Sequence, residues 1–193
     1  MKDLEQRIKK YMSIYRYNHT LSVANECRKL AKLFETDGEK LVIAAYLHDI
    51  TKEMPIEEQY KLCEEFSYKL DMNTKYSLKT LHSFTAPLLI QKDFPEYSDE
   101  IILNTVRYHS TGRANMTLYE KLLYLADYIE PTRKFDDCKA VREFFYNNTY
   151  DINKRLDDAI CFSFKLTISE LIENDEYIHT ETINAYNYFK TGE

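Results

Sequence analysis

The residues able to do chemistry in this chain are five histidines and a small number of carboxylates set in apolar surroundings. His48 and Asp49 stand side by side where the apolar run Leu41-Val42-Ile43-Ala44-Ala45 and Leu47 meets a charged stretch ending in Lys52. An imidazole and a carboxylate on adjacent residues offer two kinds of metal ligand, and the two oxygens of Asp49 can touch two cations at once. His19, His82 and His109 also fall at the ends of apolar segments, and Asp127 interrupts the apolar run Leu122-Leu123-Tyr124-Leu125-Ala126. A buried carboxylate is costly unless it is paired or bound to a metal. Four imidazoles and two carboxylates form a mixed nitrogen and oxygen set, which suits Fe, Mn, Co or Zn better than Ca or Mg. Six ligands exceed what one tetrahedral ion takes. With Asp49 as a bridge, the set divides into His19, His48 and Asp127 on one ion and His82 and His109 on the other. Two ions about 3.5–4 Å apart are suited to in-line attack on phosphorus.

The elements that must position these groups read as helices. A short amphipathic helix is expected over 3–12, from Leu4, Ile8, Tyr11 and Met12. A second is expected to start at the N-cap Asn18, with His19, Val23, Cys27, Leu30 and Phe34 along one face. Asp37 can cap a helix over 39–50 that is apolar nearly all round and therefore central. Pro55 opens a helix over 56–67, and a polar link follows around Asp71-Met72-Asn73-Thr74. Pro87 is expected in a first turn, so the next helix begins near Ser83, with His82 at its entrance. Ser98 can cap a helix over 99–109 that ends on His109. Thr117 and Glu120 form a capping box for a helix that delivers Asp127 and stops at Pro131. Helices over 137–147, 152–173 and 181–190 complete the chain, with His179 expected to be exposed in a polar link.

With three glycines, four prolines and a hydrophobic fraction of 44%, the 193 residues favour long helices around a real core. The expected fold is all-α, an orthogonal helical bundle, and a single domain spanning 1–193. The net charge of −6 argues against nucleic acid or an anionic membrane as partner. No apolar run is long enough to span a bilayer, and the polar N-terminus lacks a signal-peptide core. Cys27, Cys63, Cys138 and Cys161 form no CxxC pair, which suits reduced thiols in the cytoplasm.

His19, His48-Asp49 and Asp127 resemble the H…HD…D signature of the HD-domain phosphohydrolases. Longer segments are similar to one family within them, the YqeK family of symmetrical diadenosine tetraphosphate hydrolases. These are Tyr17-Asn18-His19-Thr20, Tyr108-His109-Ser110-Thr111-Gly112-Arg113, Leu125-Ala126-Asp127-Tyr128-Ile129-Glu130-Pro131-Thr132-Arg133 and Ile178-His179-Thr180-Glu181-Thr182-Ile183-Asn184-Ala185. The chain departs from that family at Ser83-Phe84, where Gly-Pro is usual, and at Ser110, where Thr is usual. The resemblance implies hydrolysis of diadenosine tetraphosphate into two ADP, a di-iron centre for which Mn, Co or Mg could substitute, and a homodimer. The metal ligands would be His19, His48, Asp49, His82, His109 and Asp127. Asp49, Lys52 and Arg133 are the candidate catalytic residues. Lys52 could neutralise a phosphate or hold the attacking water, and Arg133 could grip phosphate with its planar fork. Thr111, Gly112 and Arg113 are further phosphate candidates, with capping or surface roles as the alternative. Glu130 could orient Arg133 or a water. The competing readings are an HD hydrolase of another nucleotide or alarmone phosphate, and a helical sensor that binds without turnover.

Overall fold

A computed structural model describes residues 2–192, and among these the chain is a bundle of α-helices with no strand. The helices are α1 (Lys2–Ile8), α2 (Ile14–Leu33), α3 (Gly38–Leu47), α4 (Ile56–Glu65), α5 (Met72–Tyr76) and α6 (Leu81–Asp93). They continue as α7 (Glu100–Arg107), α8 (Leu118–Ile129), α9 (Asp136–Asn147), α10 (Ile152–Glu173) and α11 (Thr180–Thr191).

The apolar α3 lies at the centre, with every residue from Leu41 to Leu47 buried. It packs against α2, α7 and α8, while α8 also meets α2, α9 and α10. One buried apolar cluster runs from Leu4 in α1 to Ala185 in α11. A polar group delivered by the end of α3 therefore arrives inside the molecule. Past Leu47 the backbone turns tightly, with Ile50 N–H bonded to Leu47 O and Lys52 N–H to Asp49 O. These turns aim His48, Asp49 and Lys52 in different directions within a few residues.

Several helix starts differ from those read off the sequence. α2 begins at Ile14 and is capped by Ser13, whose Oγ accepts from Arg16 N–H and donates to Glu53. Asn18 is therefore inside the helix, and one more turn, carrying Arg16, precedes His19. α6 begins at Leu81, ahead of Ser83, and holds Pro87 in its interior. Pro87 cannot donate to the carbonyl one turn back. Hydroxyls knit the first turn instead, Ser83 Oγ to Thr80 O and Thr85 Oγ1 to Leu81 O. Asp99, not Ser98, caps α7 through Ile101 N–H. The polar link after Glu65 contains the short α5, capped by Asp71. His179 is only 3% exposed, contrary to its expected place in solvent. Its ring caps α11 by accepting from Glu181 N–H and lies 3.3 Å from Thr74 Oγ1.

The segment before α11 is tied to the segment around α5. Tyr177 donates to Asn73 Oδ1 at 2.6 Å, Lys79 bonds Glu176, and the Tyr76 and Tyr177 rings lie 5.5 Å apart. Together these two segments form one wall of a cleft described below.

Candidate metal centre

Six side chains from five helices and their ends converge on one buried pocket. α2 supplies His19, the end of α3 supplies His48 and Asp49, and the start of α6 supplies His82. The turn after α7 supplies His109, and α8 supplies Asp127. His19 Nε2 lies 3.0 Å from Asp127 Oδ1, and His48 Nε2 lies 3.3 Å from Asp49 Oδ2. On the other oxygen of Asp49, Oδ1 is 3.3 Å from His82 Nε2 and 3.6 Å from His109 Nε2. The two imidazole pairs thus face different oxygens of a single carboxylate, the arrangement a bridging ligand requires.

The outer nitrogens fix which face of each ring points inward. His48 Nδ1–H donates to Ala45 O at 2.7 Å, His109 Nδ1–H to Val106 O at 2.6 Å, and His19 Nδ1–H to Glu130 Oε1 at 3.1 Å. With that proton outside, each Nε2 can turn a lone pair toward the pocket. His19 Nε2 and His48 Nε2 are buried and have no aligned hydrogen-bond partner. Buried nitrogens left unbonded beside carboxylate oxygens are what a cation would satisfy. Two overlapping trios meet the spacing for a metal ion, His19 with His48 and Asp127, and His48 with Asp49 and His109.

The charge states suit the same role. Burial would raise the pKa of Asp49, but the imidazoles around it, His48 foremost, hold it well below the ordinary carboxylate range. Asp127 is likewise held down, against burial, by Arg133 and His19. Burial pushes His82 and His109 down, His82 with the added repulsion of Lys52, which favours the neutral form a metal ion requires of an imidazole.

Arginines stand behind both carboxylates. Arg16 Nη1 donates to Asp49 Oδ2 at 2.7 Å, and Arg133 Nη2 to Asp127 Oδ1 at 2.8 Å. Arg16 was not among the sequence candidates. Its signal was the spacing of three from His19, which puts both side chains on one helix face. Lys52 Nζ lies 3.3 Å from His82 Nδ1, beside the centre.

Four other candidates are engaged elsewhere. Glu130 does not orient Arg133; it accepts from His19, from Thr132 N–H at 2.6 Å and from Thr132 Oγ1 at 2.6 Å, so it positions His19. Thr111 is fully buried and donates to Glu181 Oε2 at 2.8 Å. Gly112 takes φ +62° with its α-carbon against the Phe164 ring. Arg113 forks onto both oxygens of Glu120 at 2.9 and 3.0 Å. These three hold the α7–α8 turn to α8, α10 and α11, and their contacts lead away from the metal ligands.

The pair of His19 and Glu130 gives the metal-free protein a defined pH response. Burial alone would lower the His19 pKa, but Asp127 and Glu130 more than offset it and lift it from 6.5 to about 9. Burial opposes ionisation of Glu130, yet His19, Ser22 and Thr132 draw it from 4.5 to about 2. The raised imidazole stabilises the fold below its unfolded pKa and loses that contribution as pH rises through about 9. The depressed carboxyl stabilises above its unfolded pKa and loses that contribution as pH falls through about 2. Both are intact only between about pH 4.5 and 6.5. Because neutral His82 and His109 lose stability as pH falls below their unfolded pKa, it is the Tm gap between chelated wild type and Glu130→Gln, rather than Tm itself, that should be widest there. Glu130→Gln should flatten the acid decline and weaken the alkaline one; a thermal profile parallel to wild type would refute this coupling.

Beside a smaller cleft of about 460 Å³ at Lys52, Gln59 and His82, two larger ones border the centre. One, of about 640 Å³, is lined by Lys52, Ser110, Arg133, Tyr76, Tyr177 and residues beside them. The other, of about 660 Å³, is lined by Tyr15, Arg16, His19, Thr132, Arg133, Phe135 and their neighbours. Arg133 borders both. No helix among the described residues is long and apolar enough to cross a membrane.

Comparison with known proteins agrees with this geometry. The HD domain family model matches residues 16–132. A Staphylococcus aureus protein named symmetrical bis(5'-nucleosyl)-tetraphosphatase is 33% identical over 90% of this chain and 86% of its own. A Bacillus subtilis protein of the same name is 33% identical over 96% of this chain and 95% of its own. A crystal structure from Clostridium acetobutylicum, described as a predicted HD superfamily hydrolase involved in NAD metabolism, superposes with a TM-score of 0.88 at 31% identity. It covers 100% of this chain and 97% of the neighbour. With its histidines and aspartates gathered into a divalent-metal site, this chain belongs to the HD-domain family, among the relatives named symmetrical bis(5'-nucleosyl)-tetraphosphatases.

Proposed function

We propose that the chain hydrolyses diadenosine tetraphosphate at its central anhydride, releasing two ADP, at a dinuclear centre that prefers iron. The observation that carries this reading is Asp49, whose two oxygens face separate histidine pairs. When bound, two cations supply the Lewis acidity and the acidified water that phosphoanhydride hydrolysis requires. His19, His48, His82, His109, Asp49 and Asp127 would hold them. Mn, Co or Mg could stand in for iron, the last least readily because it favours oxygen donors.

The remaining residues manage phosphate charge. With cations held at Asp49 and Asp127, the guanidinium forks of Arg16 and Arg133 would have donors to spare for phosphate oxygens. Lys52 lines the cleft beside His82 and can meet the growing charge on the departing ADP. Glu130 keeps the Nε2 of His19 turned inward. The departing group is stable as an anion, so cations serve it better than a proton donor would.

The test is product analysis with iron-loaded protein in isotopically labelled water. Two ADP are expected, with label in only one of each pair. ATP plus AMP, or intact dinucleotide, would overturn the reading. A substrate panel with other nucleotide and alarmone phosphates should give much lower kcat/KM. The resemblance also implies a cytoplasmic homodimer, which sedimentation of the loaded enzyme checks; the four unpaired cysteines suit a reducing compartment.

A further inference from the structure

We propose that the groove between Tyr15 and Phe135 binds the second nucleoside of the dinucleotide, with these two rings as its base platform. This rests on the functional reading above. Cleavage at the central anhydride places the reacting phosphorus midway along the substrate. Two equal halves must then leave the metal centre in different directions.

The two larger clefts at the centre offer such directions. Asp49 Oδ1 faces His82 and His109, whose neighbour Lys52 lines the first cleft. Asp49 Oδ2 faces Arg16, and Arg16 and His19 line the second. The first cleft has Tyr76 and Tyr177 in its wall. The second has Tyr15, 73% exposed, and Phe135, 67% exposed. Neither of the latter rings is packed against another aromatic ring among the described residues.

Their placement is not explained by the helices they belong to. Phe135 occupies the N-cap position of α9 and makes no capping hydrogen bond, where Ser, Thr, Asp or Asn would stabilise the helix. Tyr15 lies in the first turn of α2 and points to solvent. Each ring adjoins a cation in sequence, Arg16 and Lys134, and all four residues line the groove. The Nε atoms of Arg16 and Arg133 are buried and have no hydrogen-bond partner, so each guanidinium has donor capacity left for an anion. Exposed aromatic faces beside arginines with donor capacity to spare are the combination that receives a base and its phosphates. The groove also shares His19 and Arg133 with the centre, so a ligand there is continuous with the reacting phosphates.

Two measurements test the assignment. The chain has no tryptophan, so Phe135→Trp installs a single reporter. In metal-loaded protein its emission should be quenched saturably by the analogue whose central bridging oxygen is a methylene, and not by inorganic tripolyphosphate. Second, the double variant Tyr15→Ala, Phe135→Ala should raise KM for diadenosine tetraphosphate by roughly 10- to 100-fold, as loss of base stacking does. Its kcat and metal content should hold, and Tyr15→Phe with Phe135→Tyr should restore KM. Wild-type protein that leaves the dinucleotide intact overturns the functional reading and this one with it. Wild-type turnover, with unchanged KM in the double variant and an unmoved tryptophan emission, overturns the groove alone. Loss of kcat together with metal would mark the rings as structural and also overturn it.

Discussion

Asp49→Ala is expected to take metal content and turnover to background together. The side chain is buried and each oxygen faces a different pair of imidazoles. Removing it would delete the proposed bridging ligand and leave Arg16, its closest partner at 2.7 Å, as an uncompensated charge beside the histidines. That charge opposes any cation that would still bind. Metal catalysis supplies several kcal/mol of transition-state stabilisation, and each 1.36 kcal/mol is tenfold in rate. The loss in kcat/KM should therefore be on the order of 10³-fold or more. Glu130→Gln, which disturbs only the support of His19, should cost about 10- to 100-fold in comparison. Metal analysis of protein purified without oxygen, alongside kcat/KM for both variants, checks the ranking. An Asp49→Ala protein with its full complement of metal would end the bridging role.

Gly112→Ala should produce the opposite pattern, a large loss of stability with chemistry retained at low temperature. Gly112 sits at φ +62°, where an L side chain is strained, and an added β-carbon would come within 2.4 Å of Phe164 Cζ. Phe164 is fully buried in α10 and leans on Tyr124, so it has little room to give. Strain at such a backbone position and overpacking each cost about 1–3 kcal/mol. Their sum, roughly 2–6 kcal/mol, corresponds to a fall in Tm of about 6–18 °C for a chain of this size. Calorimetry on loaded protein, with kcat measured well below the transition, separates the two effects. An alanine variant as stable as wild type, but with impaired KM, would return Gly112 to the phosphate-binding role that its place beside His109 suggested.

That contrast shows what could and could not be read from the chain. The helical periodicity, the central α3 and the six histidines and aspartates set in or beside apolar segments are local patterns, and each is visible as such. Roles that depend on a distant partner are not. Thr111, Gly112 and Arg113 stand two to four positions after His109, yet their partners are Glu181, Phe164 and Glu120. Asn18 looked like the better cap for α2, but Ser13 is secured by Glu53, forty positions away. His179 stands in a polar stretch and is nonetheless buried, because Thr74 and Phe84 close over it. Arg16 was overlooked for the same reason as Ser13, since a helix start placed too late leaves it outside the element that carries His19.

The wall built from the α5 region and the strand of chain before α11 has a wider consequence. The family match ends at residue 132, and Glu176, Tyr177, His179 and Thr182 lie beyond it, although they bound the first cleft. The wall of the first cleft is thus shared between the stretch that carries all six candidate ligands and a later one that carries none of them. Drift in the later stretch can retune which molecule is admitted while the reactive machinery stays untouched. A scaffold divided in this way can acquire new clients without relearning its chemistry.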